Sequence, residues 1–128
     1  MIGMRIRKFE FTYGGYFATS YEVTKHQNKL EFRTFDHAPH NQPININLST
    51  DQWEVLASQV IDIVKNWGRT YDTDICDGIQ WTVIIETDTS KFEIYGSNNF
   101  PDNFDKLLEV IRGISGLESF AEDHDSTS

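Results

Sequence analysis

The fold this sequence predicts is a two-layer α+β domain. It has a mostly antiparallel sheet with two helices packed on one face, in the order β-β-β-(β)-α-β-β-α. Three observations predict it. Apolar residues recur with period two in several short stretches, and with helical spacing in two longer ones. Clusters of Gly, Pro and Asn separate these stretches. Two amphipathic helices need one apolar sheet face to cover, which sets both on the same side.

The first third reads as a meander. Phe9, Phe11 and Tyr13 alternate on one face, and Phe17, Thr19, Tyr21 and Val23 alternate after Gly14-Gly15. A two-residue Gly-Gly turn would put Phe17 on the face opposite Phe11. A three-residue loop, Gly14 to Tyr16, pairs Tyr13 with Phe17 and Phe9 with Tyr21, and keeps the apolar face continuous. The next strand, Leu30 to Phe35, returns through His26-Gln27-Asn28-Lys29 and is expected to set Leu30 near Val23 and Phe32 near Tyr21. Asp36 to Pro43 has two prolines and no periodicity, so it reads as a loop. Ile44, Ile46 and Leu48 alternate with asparagines as a short strand does.

Ser49 with Gln52 makes a capping box, and Leu48 with Trp53 a hydrophobic staple, at the start of the first helix. Its apolar face is Trp53, Leu56, Ala57, Val60, Val64 and Trp67, with Gly68 as the expected end. Trp81, Val83 and Ile85 alternate next, followed by Phe92 and Ile94. A turn at Asp88-Thr89 pairs Ile85 with Phe92 and Val83 with Ile94. Gly96-Ser97-Asn98-Asn99 breaks the strand, and Pro101 opens a second helix with Phe104, Leu107, Leu108 and Ile111 on its apolar face. Gly113 and Gly116 are expected to end it. Residues 1–117 read as a single domain, and 118–128 as an acidic, flexible tail.

The net charge is −9, and its distribution is uneven. Residues 1–35 hold six bases and three acids, whereas five bases face 17 acids from Asp36 onward, a balance of −12. A field of that sign repels phosphate backbones, which argues against direct nucleic-acid binding and favours a basic protein partner. No stretch reaches the roughly 18 apolar residues of a membrane span, so no membrane partner is expected. The start, M-I-G-M-R-I-R-K-F-E, has charge where a signal peptide needs its apolar run, and the lone Cys76 can form no disulfide within the chain. Both predict a cytoplasmic protein. Oligomeric state has no signature here.

No reaction centre assembles from the motifs. Asp72, Asp74 and Asp77 precede Gly78, but counting from Asp72 puts Cys76 fifth, glycine seventh and Val83 twelfth, which breaks the calcium-loop pattern. His37 and His40 beside Asp36 supply fewer ligands than zinc takes. The segment G-S-N-N-F-P-D leads a strand into a helix N-terminus, where free N–H groups bind anions, yet it contains no Lys or Arg. Glu86 and Asp88 share a strand parity suited to acid–base work, but the pattern around them marks no pocket. Cys76 follows an acidic stretch, which disfavours a thiolate, and Ser97 has no histidine near it in sequence. No catalytic residue, metal or cofactor is therefore expected. Tyr71, Asp72, Asp74 and Asp77 suit a negatively charged docking site with an aromatic anchor, with Glu86 and Asp88 as further contacts.

W-x-x-x-Y at Trp67 to Tyr71, D-G-x-x-W at Asp77 to Trp81, and Y-G-S-N-N-F-P-D-N-F from Tyr95 form a series. Over Trp53 to Ile111 it resembles a family of small bacterial α+β proteins of unassigned function. Those proteins share a D-G-x-x-W hairpin followed by a G-S-N-x-aromatic-P-x-N-F helix start. The resemblance brings no activity, and it implies a bacterial or phage setting. There, small acidic α+β proteins are often immunity proteins or inhibitors. The expected function is thus a non-enzymatic, immunity- or inhibitor-type module whose acidic surface blocks a basic partner such as a nuclease toxin. Two alternatives are a small-molecule-binding domain or enzyme with a cleft between sheet and helices, and a structural subunit of a bacterial or phage assembly.

Overall fold

A computed structural model of the 128-residue chain describes residues 6–14, 20–35, 44–72, 79–97 and 99–116. Seven strands and two helices follow in order: β1 (Ile6–Gly14), β2 (Ser20–His26), β3 (Lys29–Phe35), β4 (Ile44–Asn47), α1 (Thr50–Val64), β5 (Thr70–Asp72), β6 (Gln80–Thr87), β7 (Lys91–Ser97) and α2 (Phe104–Ser115). The predicted α+β class and element order are those observed, with the short β5 added. The strands form one sheet in the order β4-β3-β2-β1-β6-β7-β5, antiparallel throughout except for the parallel pairing of β5 with β7. Residues 36–43, expected as a loop, residues 73–78 and the acidic stretch 118–128 lie outside the described residues.

The meander keeps the predicted parity but shifts its register. Tyr13 pairs with Tyr21 and Phe11 with Val23, so the expected Tyr13–Phe17 and Phe9–Tyr21 pairs do not form. The shift is four residues, an even number, and therefore leaves the same side chains on the core face. Likewise Val23 pairs with Phe32 and Lys25 with Leu30, because the chain turns through Gln27 and Asn28 alone, with Gln27 at φ 58°. The turn is held from both layers: the Asn28 carbonyl accepts from the Leu48 backbone N–H, just beyond β4, at 3.0 Å and from the Trp53 indole of α1 at 3.1 Å. A bulge between Ile6 and Lys8 lets Ile6 rejoin the core face although its parity differs from that of Phe9.

α1 starts as its sequence reads. Ser49 accepts from the Gln52 N–H at 3.1 Å, and the Gln52 side chain accepts from the Ser49 N–H at 2.8 Å. It ends earlier than expected, at Val64, so Trp67 lies one turn beyond it and Gly68 is not its cap. α2 runs through Gly113 and stops at Gly116, which takes φ 73° and returns its N–H to the Arg112 carbonyl. The β6–β7 hairpin has the predicted register, Ile85 with Phe92 and Val83 with Ile94.

One core joins the layers. Phe9, Phe11, Val83 and Ile85 from the sheet meet Leu56, Val60, Leu107 and Leu108 from the helices, all at most 2% exposed. Trp81 (1% exposed) is the largest fully buried side chain, and its cross-strand partner on β7 is Gly96. A Cβ on Gly96 would fall inside the Trp81 indole, so the glycine is the seat of the ring. Gly96→Ala forces the tryptophan out of its place, an overpacking expected to cost about 1–3 kcal/mol. Urea denaturation followed by tryptophan fluorescence checks this, and an unchanged midpoint overturns the account. Ser49→Ala, which removes only the cap, should lower stability by about 1 kcal/mol in the same assay.

Candidate functional site

β5 stands at the edge of the sheet because its three residues pair only with β7: Thr70 with Tyr95, Tyr71 with Gly96 and Asp72 with Ser97. Backbone bonds seat it, including Tyr95 N–H to the Arg69 carbonyl at 3.0 Å. Tyr71 turns toward the helical layer, its ring 5.8 Å from Trp81 and 6.4 Å from Trp67, and its hydroxyl accepts from the Gly68 N–H at 2.9 Å. It is thus the outer, half-buried end of an aromatic series that continues through Trp81 to Phe104, with centroids 4.9 Å apart.

The same series fixes how α2 begins. Trp81 donates its indole N–H to the Asn99 carbonyl at 2.9 Å, which anchors the segment after β7. Trp67 donates to Asn103 Oδ1 at 2.6 Å, and Asn103 Nδ2 donates to the Ile63 carbonyl at 3.3 Å. Asn103 occupies the N-cap position of α2, yet its side chain makes no bond to its own helix. It satisfies instead a carbonyl in the last turn of α1, one of those a helix leaves without a partner. Asp102 and Asp105 flank this helix start, a charge that opposes anion binding there, and Asn98 lies outside the described residues.

The predicted contact residues fall in two places. Tyr71 and the backbone of Asp72 are at the β5 edge, and the chain leads from there into 73–78, so Asp74 and Asp77 lie outside the described residues. Glu86 and Asp88 are at the opposite end of the β6–β7 hairpin. Along β7 the five steps from Gly96 to Lys91 span roughly 17 Å. Glu86 is also on the other sheet face, between its register partners Lys8 and Lys91, and Asp88 accepts from Arg7 Nε at 2.8 Å. Tyr71 and Asp72 therefore share no patch with Glu86 and Asp88, and the latter two do not face each other across a pocket. Nearby on the open face, Lys91 hydrogen-bonds Glu93 at 2.9 Å, which lowers the carboxyl pKa and raises that of the ammonium.

Among the described residues no group of three or more His, Cys, Asp or Glu is placed to hold a metal, and no helix is long and apolar enough to cross a membrane. His37, His40 and Cys76 lie outside the described residues. The space between sheet and helices is filled by the core side chains named above. A groove of about 630 Å³ opens elsewhere, on the solvent side between α1 and α2. Sequence reasoning missed it, although Val55, Gln59 and Ile63 recur at helical spacing away from the main stripe of α1.

No family model, no curated protein and no solved structure matches this chain.

Asn103→Ala leaves the Trp67 indole and the Ile63 carbonyl without their partner in a half-buried place, at a cost of about 1–3 kcal/mol. Asn103→Asp keeps the acceptor for Trp67 and should cost less. Thermal unfolding of the two variants checks the order, and equal melting temperatures overturn the role given to Asn103.

Proposed function

We propose that the protein is a non-enzymatic binding module of the immunity or inhibitor type. Its acidic surface blocks a basic partner in the cytoplasm of a bacterial cell, a nuclease toxin being the kind of target that fits. The observation that carries this reading is the charge balance from Asp36 onward, five bases against 17 acids, or −12. Asp74 and Asp77 follow directly in sequence on Tyr71 and Asp72, the last residues of the edge strand β5. An excess of acid of this size suits fast capture of a basic surface.

The test is a capture experiment with the tagged full chain in source-cell lysate, washed at low and then high salt. One stoichiometric basic protein should be retained at about 50 mM salt and released as screening shortens the reach of the charges. Asp72→Lys with Asp74→Lys should abolish that retention while leaving the fold intact by circular dichroism. A partner that binds the double variant as well as the parent overturns the docking site, and retention of no basic protein overturns the reading.

A further inference from the structure

We propose that the groove between α1 and α2 is a docking trough for a basic amphipathic helix of about three turns on the partner. This rests on the reading of the protein as a binder of basic partners and names the surface and the shape that would fill it.

The trough has an apolar floor. Val55 and Ile63 of α1 face Val110 and Ile114 of α2, and Val55 is 53% exposed, among the described residues one of the few large apolar side chains so open to solvent. Gly113 lies between them on α2, and a Cβ placed on it meets no heavy atom within 4 Å. The helix therefore leaves open space where any other residue would place a side chain. A glycine inside a helix costs about 1 kcal/mol against alanine, and nothing in the packing of this fold requires one here. What it does provide is room for an occupant.

The rim is acidic. Asp62 and Glu109 line the trough, and a second hollow, which shares Val55 and Gln59 with it, adds Asp51 and Glu54. Against these four carboxylates the lining holds one cation, Lys106. Lys65, just beyond α1, bonds Asp62 at 3.0 Å across exposed surface, where such a pair is weak and readily exchanged. From Val55 to Ile63 the α1 wall of the trough extends roughly 12 Å, and the adjoining hollow, lined by α1 alone, carries it back to Asp51, roughly 18 Å in all, which sets the length of the occupant.

Charge selects among the candidates. A second copy of this chain would bring acids against acids on a molecule of net −9. The segment 117–128 carries four acids and no Lys or Arg, so it is repelled by the same rim. A helix with Leu-like residues at i, i+3, i+4 and i+7 and Lys or Arg elsewhere satisfies floor and rim together.

The test uses an 18-residue leucine–lysine peptide with its leucines on one helical stripe. A peptide of the same composition without the stripe is the control. Each is titrated into the isotope-labelled full chain at low salt. The striped peptide should shift the methyl signals of Val55, Ile63, Val110 and Ile114, and should bind about tenfold more tightly than the control. Gly113→Trp fills the trough without touching the core side of α2, and should weaken the striped peptide about tenfold while the Trp81 indole signal stays in place. Equal affinity for the two peptides, or shifts confined to the sheet, overturns the proposal. So does full binding to a folded Gly113→Trp chain. Charge reversal of Asp62 and Glu109, tested in the same way, serves if the tryptophan variant does not fold. Failure here is distinct from failure of the binding-module reading. A basic partner captured from lysate by both the parent and Gly113→Trp, and lost with Asp72→Lys and Asp74→Lys, keeps that reading and removes the trough.

Discussion

The indole of Trp81 lies across the backbone of Gly96, and most of the second half of the chain is arranged around that contact. Because the glycine has no side chain, the ring can settle flat into the sheet and still present its edges to the elements beyond. Tyr71 reaches it from β5, Trp67 from the segment after α1, and Phe100 and Phe104 from the start of α2. Its N–H then fixes the chain at Asn99. One cross-strand pair thus sets the position of an edge strand, a helix exit and a helix entry. Rings held with centroids 4.9 to 6.3 Å apart in stacked, tilted and edge-on arrangements supply both buried area and direction.

The two helices are joined at one end by polar contacts and separate toward solvent at the other side. Asn103 couples the exit of α1 to the entry of α2 through Trp67 and the Ile63 carbonyl. Beneath, Leu56, Val60, Leu107 and Leu108 close the core completely. Above, valine and isoleucine face one another across a gap that Gly113 leaves unfilled. The same pair of helices therefore seals one surface and opens another, and the open one has an acidic border.

Charge ties these surfaces to the proposed role. On the described surface, exposed pairs such as Arg7–Asp88 and Lys91–Glu93 engage part of the charge. Over the chain from Asp36 onward, five bases stand against 17 acids. In the proposed role that excess would steer the partner and the apolar trough would hold it, as steering and affinity divide in many charged complexes.

By itself the sequence determined the class of fold, the parity of the strands, the capping box of α1 and the register of the β6–β7 hairpin. Each rests on local periods or on neighbours a few residues apart. Strand parity survived even where register did not: the β1–β2 and β2–β3 pairs slid by an even number of residues, which local pattern cannot detect. Burial of the stripe is the same in either register; at the β2–β3 turn the Asn28 carbonyl is held by the Trp53 indole and the Leu48 N–H, groups distant in sequence. The edge strand β5 was equally illegible, because three residues in a parallel pairing have no periodicity of their own. Among the candidate contacts, the separation of Glu86 and Asp88 from Tyr71 and Asp72 required the sheet order. Tertiary structure alone decided that Asn103 serves α1 rather than its own helix. It also decided that Gly96 seats Trp81 and that Val55 and Ile63 face α2 across an open trough. Those relations join residues as many as 59 positions apart, and only folding brings them within reach of one another.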